Sequence, residues 1–245
     1  MVVVSYKLGF YVQRLIEEDL FSFARYGNGE WDCIFKTRPR TGTGSQALNI
    51  TSLRKGMKKS IITHQKDPNY FLAIQSRGYL ERCKLLPSIK PWLRNKAPHA
   101  KWHCGETFTH ASRDGTLHPL IAQLRKMNLI IVGPPWLKGL KKQVFPSMQF
   151  VYVRPKDCFV TYKDLFSGIA RAIRTALQQP GPVVVSFSAG PTTKVLIHEL
   201  HGKVRDRCFL IDFGSLWDPY TGRRTRRYHK RLTAAIMGRN LTGRK

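Results

Sequence analysis

The chain has 245 residues, of which 42% are hydrophobic, so it can build a proper core and is neither disordered nor fibrous. Its 42 lysines and arginines against 15 aspartates and glutamates give a net charge of +27. Repulsion between these like charges destabilises a compact chain unless a polyanion offsets it. Nucleic acid is the first candidate partner, because phosphate neutralisation gives affinity without regard to sequence. Anionic membrane surfaces, polyanionic glycans and a basic protein with no such partner are the alternatives.

The cysteines and the apolar segments indicate the compartment. Five cysteines are an odd number, and they are widely spread, which is typical of reduced thiols in the cytoplasm. No stretch has the length and apolarity of a transmembrane helix, and the start lacks the basic and apolar regions of a secretory leader. We therefore expect a cytoplasmic protein with no membrane partner.

The first half of the chain has helical patterns on either side of an irregular region. Apolar spacing predicts an amphipathic helix over residues 9–24 and a second helix, with a basic face, over 45–62. Three prolines indicate irregular, locally packed structure between residues 84 and 103. A third helix is predicted over 116–126.

Short apolar segments alternate with helical patterns from residue 129 onward. Strands are predicted over 129–132, 149–153, 182–187 and 208–213, and helices over 136–143, 162–178 and 192–201. This alternation favours the α/β class, as a Rossmann-like, mainly parallel sheet flanked by helices. We expect one domain over residues 1–218 and a basic C-terminal extension over 219–245. In such sheets ligands bind beyond the carboxyl ends of the strands, where the strand order switches.

A glycine-flanked turn follows the first predicted helix and presents Arg25, Asn28 and Glu30. Gly27 and Gly29 let the backbone adopt turn conformations and approach a ligand closely. An arginine, an amide and a carboxylate on one turn suit a charged ligand such as a metal-bound phosphate. A solvated turn with surface charges is the alternative.

A second turn that suits phosphate follows the strand predicted over 182–187. Ser188 and Gly190 precede a predicted helix whose first residues include Thr192 and Thr193. The free N–H groups of the first helical turn, together with these hydroxyls, predict an anion site for a diphosphate. Helix capping by the hydroxyls is the alternative.

Several other polar residues are candidates for chemistry. Asp212 and Asp218 follow the last predicted strand, where a carboxylate could bind a ribose hydroxyl, a metal or an acceptor; capping of the loop is the alternative. Glu106 and His110 are plausible active-site groups, for instance as a general base for a hydroxyl. Surface or packing roles are at least as common for such residues.

Two further patterns are weak. The segment 42–47 fits G-x-G-x-x-A but does not directly follow a strand, so a dinucleotide fold is not expected, although Ser45 and Gln46 could line a pocket. The other weak pattern is a group of residues that would suit zinc but lacks C-x-x-C pairs. Its members are His99, His103, Cys104, Glu106 and His110.

Taken together, the motifs resemble those of the GT-D glycosyltransferases, which carry R-[FY]-G-D-G-E near the N-terminus and G-P-T and D-x-G near the C-terminus. In this chain they are Arg25-Tyr-Gly-Asn-Gly-Glu30, Gly190-Pro-Thr192 and Asp212-Phe-Gly214. The resemblance implies a Rossmann-like fold and transfer of a sugar from a nucleoside diphosphate sugar such as a UDP-sugar. In that family the D-x-E unit is associated with a divalent metal and the donor diphosphate.

The chain departs from the family at Asn28, which replaces the aspartate. An amide oxygen can ligate Mg²⁺ or Mn²⁺ but brings no charge, so the metal affinity of Asn28 and Glu30 should fall. Lys194 and Arg25 could neutralise the leaving diphosphate instead. The motifs, together with the polar residues named above, predict two sets of site residues. Those for the donor are Arg25, Gly27, Asn28, Gly29, Ser188, Gly190, Thr192, Thr193 and Lys194, and those for catalysis are Glu30, Asp212 and Glu106.

The charge favours DNA as the acceptor, with a hydroxymethylated pyrimidine of the kind found in phage DNA as the glycosylated base. Such a base would have to leave the stack to reach a catalytic pocket. A protein or envelope glycan is an alternative acceptor, and a non-enzymatic nucleic-acid-binding protein on a degenerate transferase fold is another interpretation. The predicted nucleic-acid contacts are Arg54, Lys58, Arg223, Arg224, Arg226, Arg227, Lys230 and Arg231.

Overall fold

The computed structural model of the protein describes residues 3–35 and 50–244, with only the backbone of Ile50. The segment 42–47, with Ser45 and Gln46, therefore lies outside the described residues, as does the first part of the helix predicted over 45–62. Across the rest of the chain the structure is an α/β fold in three layers.

Eight strands form one sheet in which every pairing is parallel, as the sequence predicts. The strand order is β1-β4-β3-β2-β8-β7-β5-β6, so β2 and β8 meet in the middle. The strands are β1 (Val3–Val4), β2 (Ser22–Tyr26), β3 (Tyr70–Ile74), β4 (Trp102–Cys104), β5 (Asn128–Gly133), β6 (Gln149–Tyr152), β7 (Val183–Phe187) and β8 (Cys208–Asp212).

Helices connect the strands and cover both faces of the sheet. They are α1 (Leu8–Ile16), α2 (Asn28–Phe35), α3 (Ile50–His64), α4 (Arg77–Arg82), α5 (Leu86–Lys96), α6 (Thr107–Asp114), α7 (His118–Leu124), α8 (Leu140–Gln143), α9 (Tyr162–Ala176), α10 (Thr192–Val204) and α11 (Ala234–Thr242). Short 3₁₀ helices span Pro135–Gly139, Cys158–Thr161, Asp218–Thr221 and Arg227–Arg231. Among the described residues, no helix is long and apolar enough to cross a membrane.

The sheet separates two hydrophobic clusters. One contains residues of α2, α3, α5, α9 and α10, and the other contains residues of α1, α6, α7 and α8. Successive strand residues alternate between them: Ile130 packs in the first cluster and Ile131 in the second. Both faces of the central strands are therefore buried, which explains the continuous apolar runs of β5 and β7.

The helix predicted over 9–24 is wrong in its second half. α1 ends at Ile16, and the chain turns through Glu18, whose φ is +55°, before β2 begins at Ser22. The reason is that the following residues alternate between the two cores, with Phe23 on one face of the sheet and Ala24 on the other. Tertiary burial thus overrides the helical spacing.

The irregular structure predicted over 84–103 is also wrong. This segment contains α5 and β4. Pro87 lies in the first turn of α5, where its missing N–H costs no hydrogen bond. Pro91 lies inside the helix, which continues because Ile89 and Leu93 are buried against the core.

The predicted basic extension over 219–245 does not stand apart from the domain. Asn240 of α11 is fully buried. Its side-chain nitrogen donates to the Ser112 carbonyl at 2.6 Å and to the Tyr220 hydroxyl at 2.9 Å. Its side-chain oxygen accepts from the Leu117 N–H at 2.9 Å. These bonds fix the end of the chain to α6 and to the start of α7. The division at residue 218 stays a prediction, and the described residues of the extension pack against the domain through these bonds.

Candidate active site

A cavity of about 900 Å³ lies at the carboxyl ends of β2, β7 and β8. This is the region in which parallel α/β sheets bind ligands, next to the junction of the two halves of the sheet. The cavity brings together most of the residues that the sequence motifs single out. They are Arg25, Gly27, Asn28, Gly29, Glu30, Glu106, Ser188, Gly190, Lys194 and Asp212.

The side chain of Lys194 joins the three motifs. Its ammonium nitrogen lies 2.9 Å from Glu30 Oε1 and 2.7 Å from Asp212 Oδ2, and it donates to the Gly190 carbonyl at 3.2 Å. An ammonium group has three donors, so these three acceptors use all of them. Lys194 is only 1% exposed, and it is therefore a fixed internal cation.

The loop after β2 forms the start of α2 and positions Glu30. The Gly27 N–H donates to Glu30 Oε2 at 2.9 Å, and the Asn28 N–H donates to Gln75 Oε1 at 2.7 Å. A Cβ atom at residue 27 would lie 3.1 Å from Glu30 Oε2, which explains the glycine there. The predicted turn is thus a helix start whose carboxylate folds back onto the backbone, in the manner of a capping box.

Asp212 is held from several directions. Its Oδ2 accepts the Arg25 backbone N–H at 3.3 Å in addition to the Lys194 bond, and its Oδ1 accepts the Gly214 N–H at 3.0 Å. Because both oxygens are engaged and the residue is 1% exposed, Asp212 is poorly placed to take a proton from an acceptor. Its geometry suits a role in orienting Lys194 and the β2 loop.

The charges of this cluster stabilise one another. Burial alone would raise the pKa of Glu30, but the Lys194 ammonium and Arg25 hold it below its ordinary value. Burial alone would lower the pKa of Arg25, but Asp212 and Glu30 raise it above the ordinary value. Both groups are therefore ionised at neutral pH.

Two polar groups at the cavity wall are buried without a hydrogen-bond partner among the described residues. They are Arg25 Nε and Ser188 Oγ. Buried polar atoms are almost always hydrogen-bonded, so each is a position where a bound molecule would contribute the missing partner. The guanidinium nitrogen can only donate, whereas the hydroxyl can donate or accept.

The structure does not bring Thr192 and Thr193 to the cavity wall. The Thr192 hydroxyl accepts from the Cys158 thiol at 2.9 Å, and the Thr193 hydroxyl accepts from the Ala189 N–H at 3.1 Å. Both residues are fully buried. These hydroxyls therefore have partners inside the protein, although neither is a side-chain cap of α10. The cavity instead meets the backbone of the Gly190 turn, where φ is +55°.

Glu106 is a carboxylate of the cavity with an oxygen available. Its Oε2 accepts the Ser76 N–H at 3.0 Å, and within the described part of the chain no group bonds to Oε1. The residue precedes α6, which also carries His110 to the cavity. Of the three predicted catalytic carboxylates, Glu106 is the one whose geometry suits a general base.

Asp218, a candidate from the sequence, lies in the cavity wall. Trp136 donates to Asp218 Oδ1 at 2.9 Å, and Thr225 donates to Asp218 Oδ2. Burial raises the pKa of Asp218 despite these bonds. The sequence analysis missed other residues of the cavity, because none of them lies in a motif. Among them are Gln75, Tyr79, Arg82, Arg113, Arg154 and Tyr228.

The predicted nucleic-acid contacts divide into two groups. Arg226, Arg227 and Arg231 line the cavity with the three arginines just named. The remaining predicted contacts do not line the cavity. Arg54 and Lys58 lie on α3, and Lys230 is exposed. The Arg223 guanidinium lies 5.7 Å from the centroid of the Trp136 ring, and Arg224 donates to the Leu232 carbonyl at 3.3 Å.

The histidine and cysteine group that would suit zinc is not assembled. His103 Nδ1 is 2.9 Å from the Tyr11 hydroxyl, and the ring stacks on Phe71 at 4.2 Å. His99 is exposed, and His110 faces the cavity. These residues have separate roles in the described structure.

Comparison with known proteins supports the fold. No protein-family model and no curated protein sequence matches the chain. A selenomethionine-substituted structure of domain of unknown function 1792 aligns with a TM-score of 0.68 and 14% identity, over 90% of this chain and 80% of that chain. A structure of the same domain, described as having a distinct glycosyltransferase fold, aligns with a TM-score of 0.67, with the same identity and coverage.

A further solved structure is described as a new glycosyltransferase from Streptococcus sanguinis. It aligns with a TM-score of 0.65 and 15% identity, over 89% of this chain and 84% of that chain. The protein therefore has an α/β glycosyltransferase-like fold. At such low identity the likeness concerns the fold and not the activity.

Proposed function

We propose that the protein is a glycosyltransferase that moves a sugar from a nucleoside diphosphate sugar, such as a UDP-sugar, to a hydroxyl group. The observation that carries this proposal is the convergence of Glu30, Asp212 and the Gly190 turn on Lys194 in one cavity. The volume of about 900 Å³ is in the range of small-molecule sites. The glycosyltransferase-like fold supports the same activity.

The donor diphosphate is assigned to the side of the cavity formed by the Gly190 turn. The amino terminus of α10, a helix of 13 residues, begins there and favours negative charge. Ser188 Oγ and Arg25 Nε face the same cavity and lack partners in the described structure. Phosphate oxygens would satisfy both.

A divalent metal does not fit between Glu30 and Asp212. The oxygens that would ligate it already bind the Lys194 ammonium at 2.9 and 2.7 Å, and Asn28 offers only a neutral amide. The ammonium holds the two carboxylates in the place of a metal, and it has no donor left for a phosphate oxygen. We therefore propose transfer without a metal, in which Arg25 and the amino terminus of α10 stabilise the charge of the leaving nucleoside diphosphate.

The chemical step then needs one base. The acceptor oxygen forms a bond to the anomeric carbon of the sugar while the bond from that carbon to the diphosphate oxygen breaks. The hydroxyl proton passes to Glu106, whose Oε1 is not engaged by other described residues. The diphosphate departs with the electron pair.

We propose DNA containing a hydroxymethylated pyrimidine as the acceptor. The net charge of +27 supports this, as do the six arginines that line the cavity in addition to Arg25. Guanidinium groups bind phosphate oxygens in a bidentate way, so they would hold a backbone beside an extruded base. A protein or envelope glycan is the second candidate acceptor, because the basic side chains could equally provide a general attraction to an anionic surface.

The test is an assay with duplex DNA that contains hydroxymethylated pyrimidine, a set of labelled UDP-sugars and either EDTA or Mn²⁺. We expect transfer to DNA in both conditions, and a loss of transfer in Glu106→Gln with donor binding retained. Lys126→Met, a change of an exposed lysine outside the cavity, is the control. Transfer to a glycan but not to DNA would favour the second acceptor, and no transfer with any donor would refute the enzyme.

A non-enzymatic nucleic-acid-binding role predicts a different result. A donor that binds only the folded state raises the unfolding temperature. We expect UDP and UDP-sugars to do so. An unchanged unfolding temperature, with salt-dependent binding to DNA retained, would support the non-enzymatic alternative.

A further inference from the structure

A second polar cluster lies at the opposite edge of the sheet from the cavity, near the amino ends of β2 and β3. Asp67 Oδ2 lies 2.9 Å from His201 Nε2 and 3.8 Å from His64 Nδ1. A ligand atom from each of the three residues lies within 4.8 Å of the other two. His64 ends α3, His201 lies in the last turns of α10, and Asp67 precedes β3, so the cluster joins three separate elements.

We propose that His64, Asp67 and His201 bind a divalent transition-metal ion, with Zn²⁺ the best fit. Two imidazoles and one carboxylate are a common ligand set for zinc. Tetrahedral bonds of 2.0–2.1 Å separate neighbouring ligand atoms by about 3.3 Å. The observed separations of 2.9 and 3.8 Å lie on either side of this distance, so small side-chain movements would complete three ligand positions.

Hydrogen bonds hold both imidazoles in place for such a role. His201 Nδ1 lies 2.9 Å from the Ser22 hydroxyl, and His64 Nε2 lies 2.8 Å from His198 Nδ1. The His64 ring also stacks on Tyr70, with ring centroids 3.9 Å apart and planes at 9°. Outer partners of this kind fix the ring orientation of metal-bound histidines and choose the nitrogen that binds.

Hydrogen bonding alone accounts for only part of the cluster. It explains the approach of His201 to Asp67, but the 3.8 Å between Asp67 Oδ2 and His64 Nδ1 is too long for a hydrogen bond. A shared cation explains why both rings are directed at the same carboxylate oxygen.

A cation of the protein itself lies near the cluster. Arg205 lies 3.9 Å from Asp67 Oδ2, but its side chain is 66% exposed and can turn toward solvent.

None of the three ligands lines the cavity, so the proposed zinc site is independent of the glycosyl-transfer proposal. Its expected effect is on stability, because an ion bound by α3, α10 and the segment before β3 would fasten these elements together. Metal that binds the folded state raises the stability of that state.

The experiment uses the full chain without a histidine tag, stripped with EDTA and then dialysed against Zn²⁺ or Co²⁺. We expect one zinc per chain, a higher unfolding temperature with zinc, and the visible absorption of tetrahedral Co²⁺. His64→Gln and Asp67→Asn should each weaken zinc binding about tenfold or more. His99→Gln, which changes an exposed histidine outside the cluster, should bind zinc like the wild type.

The cobalt spectrum of the wild type requires no variant, so the proposal can be tested even if a substitution prevents folding. A wild-type chain that retains no zinc and shows no tetrahedral cobalt absorption would overturn the proposal. Folded His64→Gln and Asp67→Asn variants that bind zinc as tightly as the wild type would also overturn it.

Discussion

The ammonium nitrogen of Lys194 lies 2.7 Å from a carboxylate oxygen of Asp212, and both residues are 1% exposed. The pair connects α10 to the end of β8 inside the sheet's central junction. Because Glu30 binds the same ammonium, the cation lies between two anions that come from opposite halves of the sheet. The cluster is therefore structural as well as part of the candidate site.

Lys194→Met should destabilise the protein by about 3–5 kcal/mol, because it leaves two buried carboxylates without their cation. Urea unfolding monitored by circular dichroism gives the free energy of unfolding. Lys126→Met, at an exposed position, should change it by less than about 0.5 kcal/mol. If Lys194→Met lowered the free energy of unfolding no more than the control variant does, the assigned role of the ammonium would be contradicted.

Donor binding should not require a divalent ion. Lys194 already occupies the oxygens that a metal would use, so the affinity for UDP in calorimetry should be the same within about twofold with EDTA and with Mn²⁺. An affinity for UDP that is tenfold or more higher with Mn²⁺ than with EDTA would mean that a metal displaces the ammonium.

Gly214→Ala should weaken donor binding and destabilise the fold by more than about 1 kcal/mol. The φ of Gly214 is +56°, and a Cβ atom there would overlap the guanidinium of Arg25. Gly222→Ala is a matched control, since φ is +79° but nothing lies within 4 Å of the added atom. If backbone strain alone mattered, the two variants would have the same affinity for the donor. Displacement of Arg25 would lower the affinity of Gly214→Ala only.

Asn240→Ala should cost about 2–4 kcal/mol of stability, because it removes the three hydrogen bonds that fix α11 to the domain. Thr242→Ala in the same helix changes an exposed residue and should have little effect. Thermal and urea unfolding of the two variants measure the difference. Equal stabilities would show that the C-terminal segment is dispensable for the fold.

Stability should fall as the pH decreases from about 6.5 to about 4. Burial, together with Arg14, lowers the pKa of His103 to about 4, so the unfolded chain takes up this proton at a higher pH than the folded chain. Stability therefore rises with pH across this window. His103→Gln should reduce the slope of the unfolding free energy with pH, and the pKa values of His64 and His229, which are also lowered to about 4, should maintain the rest. His99→Gln, at an exposed position, should leave the slope unchanged.

The second half of the fold could be predicted from the sequence better than the first half. β5, β7 and β8 are buried on both faces and are mainly apolar runs, which the sequence shows directly. β2 contains Ser22 and Arg25 among its five residues, so its pattern is ambiguous until the β8 and β3 neighbours are known. β3 was not predicted, although its run of five apolar or aromatic residues was a usable signal.

The sequence motifs identified the region of the site but not its contacts. Lys194 and Glu30 are separated by 164 positions, and nothing in either motif indicates that their side chains form an ion pair. The hydroxyls of Thr192 and Thr193 are typical of a phosphate site, yet the packing of α10 buries them. Side-chain direction at a helix start depends on the surrounding core, which local sequence does not specify.

The arginines at positions 226, 227 and 231 and the buried Asn240 come from the final part of the chain. All eight strands of the described sheet precede these residues in the chain. A proteolytic cut between β8 and residue 226 would therefore spare every strand but detach three arginines of the cavity wall and the anchor of their segment. Resistance of the sheet to further digestion would then say nothing about an intact pocket.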